Sequence, residues 1–236
     1  MNNKLFDKNY VVLDGAMGTM LQQKGMELGT VPETLNITKS DWIVDIHKQY
    51  IEAGADVVYA NTFGANRYKM KNTGYTVDEL INAAIANAKE AAKGTDAMVA
   101  LDMGPIGQLL EPTGNLSFEE AYDIFKEEVV AAKDADIIVI ETMTDLLETK
   151  AAVLAAKENS NLPVFVTMTF EENKRTFTGC SVSAMCLTLE GLGVDAMGVN
   201  CSLGPKDLIP IVEEISKWTS LPIVVKANAG LPDPVT

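Results

Sequence analysis

The chain has 236 residues, 47% of them hydrophobic, with 33 acidic against 19 basic side chains and a net charge of −14. That length suits one large domain with a sizeable core, and the acidic balance excludes nucleic acid and anionic membrane surfaces, which call for a basic face. Met1–Tyr10 is too polar for a signal peptide, no apolar run reaches the length of a membrane span, and three cysteines do not make a disulfide framework, so a reducing cytoplasm is the expected compartment.

In chain order, seven short runs rich in Val, Ile and Ala are each bounded by turn residues: Val11–Asp14, Asp56–Phe63, Met98–Gly104, Ile137–Thr142, Pro163–Phe170, Ala196–Asn200 and Pro222–Ala227. They are nearly continuous in apolar character rather than alternating, as parallel strands buried on both faces are. Between them, Ser40 is placed to cap a helix running to about Glu52. The only histidine, His47, falls inside that helix, away from the strand ends, and is expected on the outer surface, which argues against a serine-type triad. Thr76 with Glu79 and Ser117 with Glu120 have the spacing of capping boxes, in which each side chain satisfies an end amide of the helix. Asp145–Glu158 and Pro205–Lys217 read as two further helices, and Ser183–Leu192 as a shorter one.

Strand and helix alternate throughout, which implies a parallel sheet with right-handed crossovers. With no Pro- or Gly-rich linker, residues 1–236 read as one domain. The expected fold is α/β, of the (β/α)8 TIM-barrel type. Such a barrel needs eight strands and typically about 250 residues. With seven runs and a turn-rich tail at Ala227–Thr236, the chain is expected to be truncated after the seventh strand. A doubly wound sheet would carry G-x-G-x-x-G after its first strand; here the glycines are Gly15 and Gly18, in Asp14-Gly15-Ala16-Met17-Gly18-Thr19.

Barrels of this type gather their chemistry at the C-terminal ends of strands. Polar residues fall there repeatedly: Asp14, Asn61, Thr62, Asp102, Glu141, Thr142, Thr169, Asn200, Cys201, Lys226 and Asn228. Unpartnered, so many polar groups would be costly to bury, so a shared pocket is expected. The turn Gly15–Thr19 can present several amides to a carboxylate or phosphate, or be a tight turn with Asp14 as its cap. Glu141, directly after Ile137-Ile138-Val139-Ile140, is suited to hold an ammonium group or act as a base with a raised pKa, and a salt bridge at the barrel mouth is the plainer reading. Cys201 can be a nucleophile, a metal ligand or a buried small residue. Cys180 and Cys186 lack a zinc-knuckle spacing and read as structural or incidental. Lys226 suits a Schiff-base aldolase or an ion pair.

The segments Val12–Thr19, Asn61-Thr62-Phe63-Gly64-Ala65-Asn66, Ile140-Glu141-Thr142 and Gly198–Pro205, with Val224–Pro232, together resemble the homocysteine S-methyltransferase family, in order and with fitting gaps from near residue 10 onward. Within it, the likeness is greatest to the homocysteine-binding domain of the cobalamin-dependent enzymes. The resemblance implies a barrel that binds homocysteine and zinc, the metal held by three cysteine thiolates and the substrate sulfur. Cys201 would be the first of those ligands and, with Glu141, carry the catalytic role. Asp14 and Glu141 would hold the substrate ammonium. The backbone of Gly15, Ala16, Met17, Gly18 and Thr19 would receive its carboxylate, and Asn61, Thr142 and Asn200 would line the pocket. The methyl donor would be methylcobalamin on a separate module or corrinoid protein.

The family's other two zinc ligands lie in a Gly-Gly-Cys-Cys run that has no counterpart in this sequence. Structural zinc sites are worth on the order of 10 kcal/mol. With one thiolate of three, weak or absent zinc binding is expected of this chain, together with self-association through open barrel edges. Three readings follow: a methyltransferase making methionine, a non-catalytic binding or assembly fragment of the same barrel, and a Lys226 aldolase.

Overall fold

The computed structural model describes residues 8–230. An extended segment enters α1 (Met17–Gln23), followed by a 3-10 turn at Pro32–Thr34, α2 (Leu35–Thr38) and α3 (Ser40–Glu52). Strands and helices then alternate: β1 (Val57–Tyr59), α4 (Val77–Ala92), β2 (Met98–Met103), α5 (Phe118–Ala131), β3 (Ile137–Met143), α6 (Leu146–Asn159), β4 (Val164–Met168), α7 (Val182–Gly191), β5 (Ala196–Asn200), α8 (Pro205–Ile215) and β6 (Ile223–Lys226). The strands form one six-stranded sheet in sequence order, and every pairing is parallel.

The sheet curls into a half-barrel. Val57, Ala100, Ile137, Phe165 and Ala196, from five neighbouring strands, meet in one cluster on the inner side. The alternate residues Val58, Leu101, Ile138, Ile140, Val166 and Val199 pack outward into the helical layer. Both faces are therefore apolar, which is why the strands read as continuous runs. The helices form where local signals place them. Thr76 and Ser117 each close a complete capping box, and Asp145 caps α6 by accepting from Leu147 N at 2.9 Å. None of the described helices is long and apolar enough to cross a membrane.

Three expectations are corrected. Val11–Asp14 is not a strand, so the described sheet has six strands rather than seven; its only bridge is Leu13 to Val57. Three backbone bonds join it to the start of β1, Asp14 N to Val57 O at 3.1 Å and Asp56 N and Val57 N to Val12 O at 2.7 and 3.3 Å, and side chains add to them: the Asp56 carboxylate accepts from Val12 N, and the Asp14 carboxylate from Tyr59 N, each at 2.8 Å. Ser40 does not cap α3 but is its first residue; Lys39 stands at the cap with no side-chain bond, because α2 runs almost directly into α3. His47 is fully buried, not on the outer surface. It follows Ile43 and Ile46 at helical spacing, which turns it onto the core face of α3. Its ring nitrogens find no hydrogen-bond partner, and burial pushes its pKa down to about 4, so the ring is neutral.

Candidate active site at the mouth of the half-barrel

A cavity of about 630 Å³ opens at the C-terminal ends of the strands. Its wall contains Asp14, Gly15, Ala16, Met17, Gly18, Thr19, Asn61, Glu141, Thr142, Asn200 and Cys201. Every residue singled out for binding or metal ligation thus lines one space, although the contributing segments are up to 187 positions apart in the chain (Asp14 to Cys201). Parallel topology explains this, since all strands end on the same side.

At one end of the cavity, the turn after Asp14 leads into α1. Ala16 is the N-cap of that helix and offers no side-chain oxygen to its first amides. Gly15 is required by packing: a Cβ there would lie 2.8 Å from Tyr50 Oη, which donates to Ala16 O at 3.1 Å.

At the other end, Asn200 ties β5 to β3. Its Oδ1 accepts from Thr142 N at 2.9 Å and its Nδ2 donates to Thr142 Oγ1 at 2.8 Å. The same Nδ2 lies 3.4 Å from Cys201 Sγ, and Thr142 Oγ1 lies 3.6 Å from that sulfur. Thr142, Cys201 and Ser202 all have positive φ, of 60°, 58° and 54°. Left-handed backbone at non-glycine residues persists only where the surroundings impose it, and such positions cluster at functional sites.

Between these ends sits a charged cluster. Lys226 Nζ lies 3.7 Å from Asp14 Oδ1, 3.5 Å from Glu141 Oε2 and 3.8 Å from the centre of the Tyr59 ring. Lys226 therefore forms the ion pairs that were one reading of it. Burial works to lower its pKa, but Glu141, Asp14 and Asp102 together outweigh that and raise it. Burial pushes Asp14 up to about 7 against the pull of Lys226. Burial likewise holds Asp102 well above the ordinary carboxylate range, and the neighbouring Glu141 charge adds to it.

Asn61 lines the cavity, but its amide is turned away, donating to Pro32 O at 2.8 Å and to Asn36 Oδ1 at 3.0 Å. Its visible work is to hold the 3-10 turn against the strand end. That turn contributes Glu33, a wall residue the sequence did not flag; it accepts from Gly64 N at 2.7 Å, and burial raises its pKa. Gly64 packs closely against it, since a Cβ there would lie 2.7 Å from Glu33 Oε1. Tyr59 and Phe63 also line the wall.

Among the described residues, no group of three or more His, Cys, Asp or Glu is placed to hold a metal. Cys201 is the one thiol in the cavity wall, and burial raises its pKa, which favours the thiol over the thiolate. Cys180 and Cys186 lie outside that wall. These residues do not by themselves make a closed zinc centre.

The model of the family described as homocysteine S-methyltransferase matches residues 11–235. The chain is 34% identical over 245 residues to a methionine synthase of Mycobacterium leprae, and 33% identical over 251 residues to one of Mycobacterium tuberculosis. These alignments cover 94% and 97% of this chain but 20% and 21% of those proteins, so the chain spans about a fifth of their length. Among solved structures, the homocysteine methyltransferase MmuM of Escherichia coli, in its metallated form, is similar with a TM-score of 0.85. That match has 22% identity and covers 96% of this chain and 86% of the other, a likeness of fold. Sequence match and shared architecture agree: the chain belongs to the homocysteine S-methyltransferase family.

Proposed function

We propose that this chain is the homocysteine-binding unit of a methyltransferase that makes methionine, and that its sheet is the greater part of a (β/α)8-type barrel forming one domain. The observation that carries this reading is the convergence of the Asp14–Thr19 turn, Glu141-Thr142 and Asn200-Cys201 on one cavity. That cavity offers buried carboxylates at its centre and, at one end, the start of α1, which no side chain caps. An α-amino acid has the complementary charges, an ammonium and a carboxylate on one carbon. Asp14 and Glu141 take the ammonium, and the amides from Gly15 to Thr19 take the carboxylate. So anchored, the substrate side chain points its sulfur toward Thr142 and Cys201.

In the transfer, the sulfur–methyl bond forms as the donor–methyl bond breaks with its electron pair kept by the donor, and the thiol proton is released to solvent. The thiolate is the reactive form of the sulfur. Methylcobalamin carried on a separate module is the donor on this reading, supported by the methionine synthase relatives, which are about five times longer than this chain. Cys201 would be one ligand to a zinc ion, and the remaining ligands would come from outside the described cavity. Three free thiols suit a reducing cytoplasm. The outer side of β6, where Val225 is 46% exposed, is the edge through which further chain or a second copy would pair.

Calorimetric titration with homocysteine tests the reading. Glu141→Gln should weaken binding about ten- to a hundredfold, the worth of one hydrogen bond to a charged group. Unchanged affinity refutes the ammonium role.

A further inference from the structure

Among the described residues, Lys226 is the one basic side chain in the cavity wall. Its Nζ stands 3.7 Å from Asp14 Oδ1 and 3.5 Å from Glu141 Oε2, and those two oxygens are buried and accept no hydrogen bond. The other Asp14 oxygen is already taken, by Tyr59 N at 2.8 Å. At these separations the lysine compensates charge without satisfying either acceptor, since charge-assisted hydrogen bonds form at about 2.7–2.9 Å. The homocysteine reading assigns Asp14 and Glu141 to the ligand's ammonium. The lysine head and that ammonium therefore claim the same two open oxygens, and two like charges so close repel in a partly buried site.

Lys226 is built to give way. Its backbone is fixed in the sheet, where it pairs with Asn200 and its carbonyl accepts from Cys201 N at 3.1 Å. Its head is held only by charge and by the face of the Tyr59 ring, 3.8 Å away, with no short directional bond. The four-carbon stem can turn without moving the strand. Beside it lies a second cleft of about 490 Å³ between the entry segment and β6, and Lys226 lines both spaces. There the stem can lie along Leu13, Phe165 and Val224 while the head stays at the opening.

We propose that Lys226 is a resident surrogate for the ligand's ammonium: its head holds the place between Asp14 and Glu141 in the empty site, is displaced when an α-amino acid enters, and returns when it leaves. This deepens the homocysteine reading and rests on it. The device keeps the buried carboxylates compensated between turnovers. The product carries the same ammonium and carboxylate as the substrate, so the returning lysine lowers affinity for both and speeds product release.

Calorimetric titrations test this with the wild-type chain, Lys226→Met, which keeps most of the stem without the charge, and Lys226→Arg, which keeps the charge. The ligands are homocysteine, methionine and 4-mercaptobutanoate, the last being homocysteine without its amine. Lys226→Met should bind homocysteine and methionine about tenfold or more tighter than wild type, with no gain for 4-mercaptobutanoate and no such gain in Lys226→Arg. Equal or weaker binding of homocysteine by Lys226→Met, with homocysteine still preferred to 4-mercaptobutanoate, overturns the proposal and leaves the homocysteine reading intact. A gain as large for 4-mercaptobutanoate, one shared by Lys226→Arg, or one absent for methionine also overturns it, because none of these follows from removing a competing charge. No preference for homocysteine over 4-mercaptobutanoate in either wild type or Lys226→Met overturns both. Circular dichroism checks folding, and Lys226→Gln takes the place of the methionine variant if that does not fold.

Discussion

Replacing Asn200 with alanine removes the side chain that joins β3 to β5 at the site. The residue is 1% exposed. Thr142 N loses its acceptor, at 2.9 Å, and Thr142 Oγ1 loses its donor, at 2.8 Å. An orphaned buried amide costs about 1–3 kcal/mol and the second bond contributes about 1 kcal/mol more, so the expected loss is about 2–4 kcal/mol. For a domain of this size each kcal/mol moves Tm by about 2–4 °C, giving a drop of roughly 4–16 °C in a calorimetric melt. Thr142, held at φ 60° by this clamp, should then relax and carry the adjacent Glu141 with it, so homocysteine affinity falls in the same variant. Thr142→Gly supplies the control, because glycine adopts that φ unaided. The double variant should be about 0.5 kcal/mol or more better than the sum of the single losses. A melt within about 1 °C of wild type, or strict additivity, would refute the clamp.

Further outcomes follow from packing, burial and the thiol inventory. Gly198→Ala places a Cβ 1.8 Å from Val224 O, so β5 and β6 must part. A destabilisation of about 3 kcal/mol or more is expected in urea unfolding, and a near-wild-type midpoint would contradict the strand contact. Burial raises the pKa of Glu148 from 4.5 to about 7, so the folded state holds a proton that the unfolded state releases between those values. Its contribution is therefore least favourable above pH 7 and improves as pH falls toward 4.5. Glu148→Gln keeps an acceptor for Ile106 N, now at 2.7 Å, without the charge; it should stabilise by up to about 3 kcal/mol at pH 8 and by about 1 kcal/mol or less at pH 5. Equal effects at both pH values would exclude the burial penalty. After dialysis the purified chain should retain well under one zinc per molecule, by metal analysis; a stoichiometric zinc lost in Cys201→Ala would show that other groups complete the centre.

Much of this architecture is legible in the sequence because it rests on local patterns. Continuous apolar runs mark strands buried on both faces, and the Thr76 and Ser117 capping boxes mark helix starts using contacts three residues apart. Polar residues at the ends of those runs mark the cavity, because parallel strands deliver their ends to one side. Where long-range contacts decide, the sequence is silent. Val11–Asp14 has the composition of a strand, yet it makes a single bridge, its few backbone bonds supplemented by the side chains of Asp14 and Asp56. His47 is polar by type and buried by its helical phase beside Ile43 and Ile46. Asn61 turns to Asn36, 25 residues earlier, rather than to the cavity, and Glu33 enters the wall from a 3-10 turn with no signature of its own. Above all, only the closing of the sheet brings Lys226 from one edge against Asp14 from the other and Glu141 from its middle. A strand end in the sequence specifies that a polar group will face the mouth of the barrel; which charges meet there depends on the curvature of the whole sheet, which no local pattern encodes.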